Sequence, residues 1–198
     1  MRDKIFQIVE DEFSSLVTRI QSDFVTNFKA KQNDFLLKEL DPMMSAHMVF
    51  VSSFESKSGN SIQKVAKEIT KLRYGEENVP QIVNPHNLKH NIQNPNEHEQ
   101  IIVSNIDMNN PELQGRIAEF MTRCEGDKKK KVCCSVNHET ILELLDGDLP
   151  IDTEIHTKPV DLAFWDGDEL NIMEIKAGGN LDSSNAPSNA KKLLTIYT

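Results

Sequence analysis

Apolar residues recur at three- and four-residue steps from the start of the chain: Ile5, Ile8, Val9, Phe13, Leu16, Val17, Ile20, Phe24 and Phe28. Phe35, Leu36, Leu37 and Leu40 continue the row. That spacing lays a stripe along one side of an α-helix and predicts a helical stretch over residues 3–40, closed by Asp41-Pro42. Core packing accounts for the stripe, and a dimer-forming or partner-binding face is the sharper alternative. A second apolar segment, 43–54, reads as a buried helix or an extended piece. The polar cluster from Ser52 to Asn60 reads as a loop opening onto a helix over 61–74, with Ile62, Val65, Ala66, Ile69 and Leu72 on one side. The amino end of that helix is a candidate phosphate contact, set against ordinary capping by Ser58 or Asn60.

From Gly75 to Glu99 the chain turns polar and rich in Pro and Asn, a loop with room for a brief strand at Gln81-Ile82-Val83. A strand follows at 100–104, then a helix over 111–123 with Leu113, Ile117, Phe120 and Met121 inward. Residues 132–136 and 153–156 read as strands, with a short helix carrying Ile141, Leu142, Leu144 and Leu145 between them. A last helix over 189–194 gives way to what reads as a new strand at Thr195-Ile196-Tyr197-Thr198.

The densest signal lies at 158–179. Val160-Asp161-Leu162-Ala163-Phe164-Trp165 and Leu170-Asn171-Ile172-Met173-Glu174-Ile175-Lys176 read as two strands around Asp166-Gly167, a pair suited to a type I′ hairpin turn. Counting outward from that loop pairs Trp165 with Asp168 and Asp161 with Ile172. Asp161 and Glu174 then share a face, one diagonal step apart, with Cβ atoms roughly 7–8 Å from each other. Two carboxylates so placed can reach one Mg²⁺, and Lys176 stands two residues beyond. Apolar residues on both sides make the hairpin look buried, where unpaired acids are costly. The plainer reading is a solvated strand face. A three-residue loop without a bulge would move Glu174 to the opposite face.

Composition narrows the function. Lys plus Arg total 22 against 31 Asp plus Glu, a net charge of −9, so contact with nucleic acid must come from local patches such as Lys128–Lys131. No apolar run suits a membrane span and no signal-peptide core follows Met1. Cys124, Cys133 and Cys134 form no disulfide or CxxC pattern and read as buried thiols. A cytoplasmic location is expected.

The run Pro159-Val160-Asp161 with Glu174-Ile175-Lys176 resembles the PD-(D/E)xK nuclease superfamily, with one residue between Pro and Asp. The wider block through Lys176-Ala177-Gly178-Gly179-Asn180-Leu181-Asp182 is similar to type II restriction endonucleases of the TdeIII type, whose members are associated with GGNCC sites. The resemblance covers residues 153–198, and more weakly Ser56–Asn60 with the helix after it. Where such enzymes often carry a further helix Glu, this chain has Gln63, with Glu68 further on.

The resemblance implies a mixed α/β fold, an αβββαβ core over 51–198, with a helical region over 1–50 for dimerisation or packing. Residues 189–195 supply the core helix, and the last core strand has barely begun at Thr198, which suggests a longer reading frame or a truncated copy. It further implies that Asp161 and Glu174, with the Ile175 carbonyl, bind Mg²⁺, while Lys176 orients or deprotonates the attacking water. Double-stranded DNA would be the substrate, cut to 5′-phosphate ends by a homodimer, with a cognate DNA methyltransferase as genetic partner. The alternatives are another nuclease of the superfamily (a resolvase or repair enzyme) and a non-cleaving remnant that binds DNA or a partner.

Overall fold

Asp41-Pro42, the expected end of the first helix, starts another. In the computed structural model, which describes residues 1–31, 34–93, 99–125, 141–142, 144, 149–176 and 186–197, α1 spans Arg2–Lys31 and a single turn, α2, spans Phe35–Lys38. Then α3 runs unbroken over Pro42–Tyr74. The Asp41 carboxylate accepts from the backbone N–H groups of Met43 at 2.9 Å and Met44 at 3.1 Å, and Pro42 occupies the first turn, where a missing N–H costs nothing. The loop expected over Ser52–Asn60 is helix, and no helix amino end lies there to hold a phosphate. Gly59 sits inside α3 without a positive φ. Polarity misled because Ser53, Ser58 and Ser61 are buried, small residues on a helix that packs against its neighbour.

The chain divides into two compact units, with a break at Val79/Pro80. The first contains α1 to α3, together with Ile175 and Lys176. Leu16 and Ile20 of α1 and Val49 of α3 are buried there. Polar contacts give the direction of the pair: Lys31 donates to Ser52 Oγ at 2.9 Å, Lys57 to Asp23 at 2.5 Å, and Arg19 to Ser61 Oγ at 3.0 Å. Numbers fall on one helix as they rise on the other, so α1 and α3 are antiparallel. The Glu12 carboxylate completes a small network, accepting from both Arg19 and Ser61. At the far end Gly75, with φ +96°, donates its N–H to the Lys71 carbonyl and ends α3.

The second unit takes Pro80–Glu174 and the C-terminal helix. Its elements are β1 (Ile82–Val83), β2 (Gln100–Ile106), α4 (Pro111–Glu125), β3 (Ile151–Val160), β4 (Leu162–Asp166), β5 (Glu169–Met173) and α5 (Ala186–Tyr197). The fold is mixed α+β. β1 runs parallel and β3 antiparallel to β2, and β4 and β5 form a separate antiparallel pair. Asn110 caps α4 through the N–H groups of Glu112 and Leu113, and Leu113, Ile117 and Phe120 point inward with Ile106 and Leu144. Cys124 packs beside that cluster. A second cluster joins Val83, Ile102, Val160, Ala163 and Ile196.

Thr195-Ile196-Tyr197 is helix rather than a new strand. The Thr195 hydroxyl bonds back to the Lys191 carbonyl, a helical habit, and Ile196 is held in the core. Lys128–Lys131, Cys133, Cys134, the strand expected at 132–136 and the Gly178-Gly179 block lie outside the described residues. No helix among the described residues is long and apolar enough to cross a membrane.

Lys67 of α3 is buried, and its Nζ has no hydrogen-bond partner. Burial, helped by Lys71, pushes this ammonium below the usual lysine range. The folded chain therefore holds that proton less tightly than the unfolded chain. Protonation penalises folding at neutral pH, and the penalty fades as pH climbs from the lowered value towards 10.5. Lys67→Met should raise the urea midpoint at pH 7 by the equivalent of about 1–3 kcal/mol. The gap to the parent chain should narrow at pH 10; an unchanged gap would show that the proton is not responsible.

Candidate functional site at the β4–β5 hairpin

The β2–β3 ladder runs up to Gln100 opposite Val160. Asp161 is a bend, and β4 starts at Leu162. Where the backbone ladder stops, the Gln100 side chain takes over. Its Nε2 donates to the Ala163 carbonyl at 2.9 Å, and its Oε1 accepts from the Ala163 N–H at 3.0 Å. Nε2 also donates to the Pro80 carbonyl at 2.6 Å. A primary amide carries the same donor and acceptor as a peptide group, so Gln100 adds one more rung to the sheet. The side chain is fully buried and its polar atoms are matched.

Beyond the bend the pairs are Leu162 with Met173, Ala163 with Ile172, Phe164 with Asn171, Trp165 with Leu170 and Asp166 with Glu169. The loop is therefore Gly167-Asp168 rather than Asp166-Gly167. Gly167 has φ +61° and Asp168 has no positive φ. That is the residue pattern of a type II′ turn, with Gly first, whereas type I′ needs both positions positive. The register differs from the expected one by two residues. Side chains alternate singly, so an even shift preserves the faces of the paired residues. The ladder ends at Leu162–Met173, and Asp161 and Glu174 are the residues immediately outside it.

Ala163, Leu170 and Ile172 pack in the cluster that includes Ile196 of α5. Lys192, one turn before Ile196, shares its side of the helix. Its Nζ donates to Glu174 Oε2 at 2.6 Å, and the Glu174 side chain is only 7% exposed. An ammonium thus meets Glu174 from a helix. Lys192 was not a sequence candidate, because reading 195–198 as a strand hid its i, i+4 relation to Ile196.

The strand expected through Lys176 ends at Met173. Glu174, Ile175 and Lys176 lie past it; Ile175 is half-buried and Lys176 exposed. Among the described residues no three His, Cys, Asp or Glu side chains gather into a metal-binding group. The oxygens of Asp161 and Glu174 are hard donors of the kind that suit Mg²⁺, which commonly takes one or two carboxylates and fills its remaining positions with water and phosphate oxygens.

No family model, no curated protein and no solved structure matches this chain.

Gln100→Met keeps most of the volume and removes the rung. It should cost about 2–4 kcal/mol in urea unfolding, since the Ala163 N–H and carbonyl are left buried without partners. A loss under about 0.5 kcal/mol would show that solvent replaces the amide.

Proposed function

We propose that the chain is a Mg²⁺-dependent deoxyribonuclease of the PD-(D/E)xK kind, a type II restriction endonuclease acting on double-stranded DNA, with Asp161, Glu174 and Lys176 as its catalytic residues. One observation carries the reading. The β4–β5 ladder ends on the Leu162–Met173 pair, so Asp161 and Glu174 are the residues that flank its open end, each one covalent step from that pair, and Lys176 follows two residues on, with its Cα no more than ~7 Å from that of Glu174.

In this reading Asp161, Glu174 and the Ile175 carbonyl hold the metal. Mg²⁺ held there would supply Lewis-acid chemistry to the scissile phosphate and its attacking water. Lys176 orients the attacking water or takes its proton, and its charge offsets that developing on the phosphate. Glu174 must share its carboxylate between Lys192 and the metal, or exchange one for the other. A palindromic or near-palindromic target would call for a two-fold dimer, and a cognate methyltransferase would protect the host DNA. The αβββαβ core belongs to the same proposal.

The Glu174–Lys192 pair favours a second reading, a non-cleaving protein that binds DNA or a partner, in which Lys192 neutralises Glu174 permanently.

Asp161→Ala and Lys176→Ala should each lower Mg²⁺-dependent cleavage of a long duplex by at least about a hundredfold while duplex binding persists. Full activity in either variant refutes the assignment. Discrete fragments from the parent chain support a sequence-specific enzyme, and cleavage of branched DNA alone indicates a resolvase. Absence of Mg²⁺ binding by calorimetry in both the parent chain and Lys192→Met would favour the non-cleaving reading.

A further inference from the structure

The first third of α3 buries one side and exposes an apolar one. Ser45, Val49 and Ser53 form its buried row. On the opposite side of the helix, Met44, His47, Val51 and Phe54 recur at steps of three, four and three residues, the spacing of a coiled-coil seam. All four are exposed. Met43, Met48 and Phe50 flank the seam, and the large apolar residues of this face are between 36% and 70% exposed. Together they leave on the order of 600 Å² of apolar surface, at the upper end of the largest patch on a typical monomer (about 300–600 Å²).

We propose that this face docks against the same face of a second copy of the chain, with the two α3 helices antiparallel about a two-fold axis level with Val49. That axis sets Met44 against Phe54 of the partner subunit and His47 against Val51 of the partner subunit. Three features select a second copy. The patch approaches the ~800 Å² that each partner contributes to a standard interface. From Pro42 to Phe54 there is no Asp, Glu, Lys or Arg, so two copies of a chain with net charge −9 meet here without opposing like charges. The row is also self-complementary under a two-fold axis, as an isologous contact requires. The Phe50 and Phe54 rings already stack at 6.4 Å, so part of the surface is ordered before contact.

The inference deepens the nuclease reading by naming the face for its two-fold axis, and its test needs no DNA. Sedimentation equilibrium of the whole chain should give a dimer, and Val51→Glu should raise the dissociation constant at least about a hundredfold with helicity and urea midpoint retained. In a background with the native cysteines replaced by Ser, His47→Cys with Val51→Cys should form disulfide-linked dimers, whereas Met44→Cys alone should not. A monomer at every concentration, a dimer indifferent to Val51→Glu, or cross-linking through Met44→Cys each overturns the proposal. A monomer that cleaves DNA would leave the nuclease reading standing, and a dimer that does not cleave would leave this one.

Discussion

One amide holds the second unit's two strand systems in relation to each other. β3 follows β2 as far as Val160, bends at Asp161, and continues as β4 with a different partner. A strand that leaves its sheet normally strands peptide groups at the break, and buried peptide groups need partners. Gln100 meets this need with its own side chain, bonding both backbone polar groups of Ala163 while holding Pro80 at the start of the unit. The bend at Asp161 and the depth of Ala163 in the core both depend on that contact. So does the line along which the β4–β5 hairpin departs, and with it the position of Glu174. A long aliphatic side chain could fill the same space, but it would leave the Ala163 N–H and carbonyl unpaired.

The electrostatics at Glu174 follow from the same packing. Ile172 and Ala163 draw Ile196 and α5 onto the acid-bearing side of the hairpin, so Glu174 loses most of its water. A carboxylate in that position needs a cation or strong donors, and Lys192 arrives on the helix that excluded the solvent. The side chain that makes Glu174 tolerable in the fold would also compete with a metal for its oxygens.

Much of the architecture could be read from periodicity alone: a long first helix, a brief strand near 82–83, a strand opening at Gln100, α4 with its three inward residues, and a two-residue hairpin between β4 and β5. The failures have specific causes. Asp41-Pro42 looks like a stop signal, yet Asp caps and Pro at the first helical position also mark a start, and only the apolar residues from Met43 onward choose between them. Ser52–Asn60 has loop composition, but serine is also the residue that lets two helices approach closely. Gln100 gave no warning. A lone Gln at the start of a strand has no pattern, and its partner lies 63 residues away. Lys192 was hidden by a local misreading, since Thr195 and Ile196 have strand preferences that core packing overrides.

The hairpin shows why the face of an acid is easier to predict than its partner. A two-residue loop can be drawn at Asp166-Gly167 or at Gly167-Asp168, and the choice moves every pair by two positions. It never moves a side chain across the sheet, because both loops have the same length and strand side chains alternate with a period of two. Type I′ and type II′ turns differ in which positions take a positive φ; Gly167 suits the second position of one and the first of the other. Only a loop of odd length would exchange the faces of β4 against β5, and the observed loop of two residues has an ordinary turn conformation open to it. The faces of the paired residues thus rest on the parity of the loop, a coarser property than its type, and parity survived the error in register.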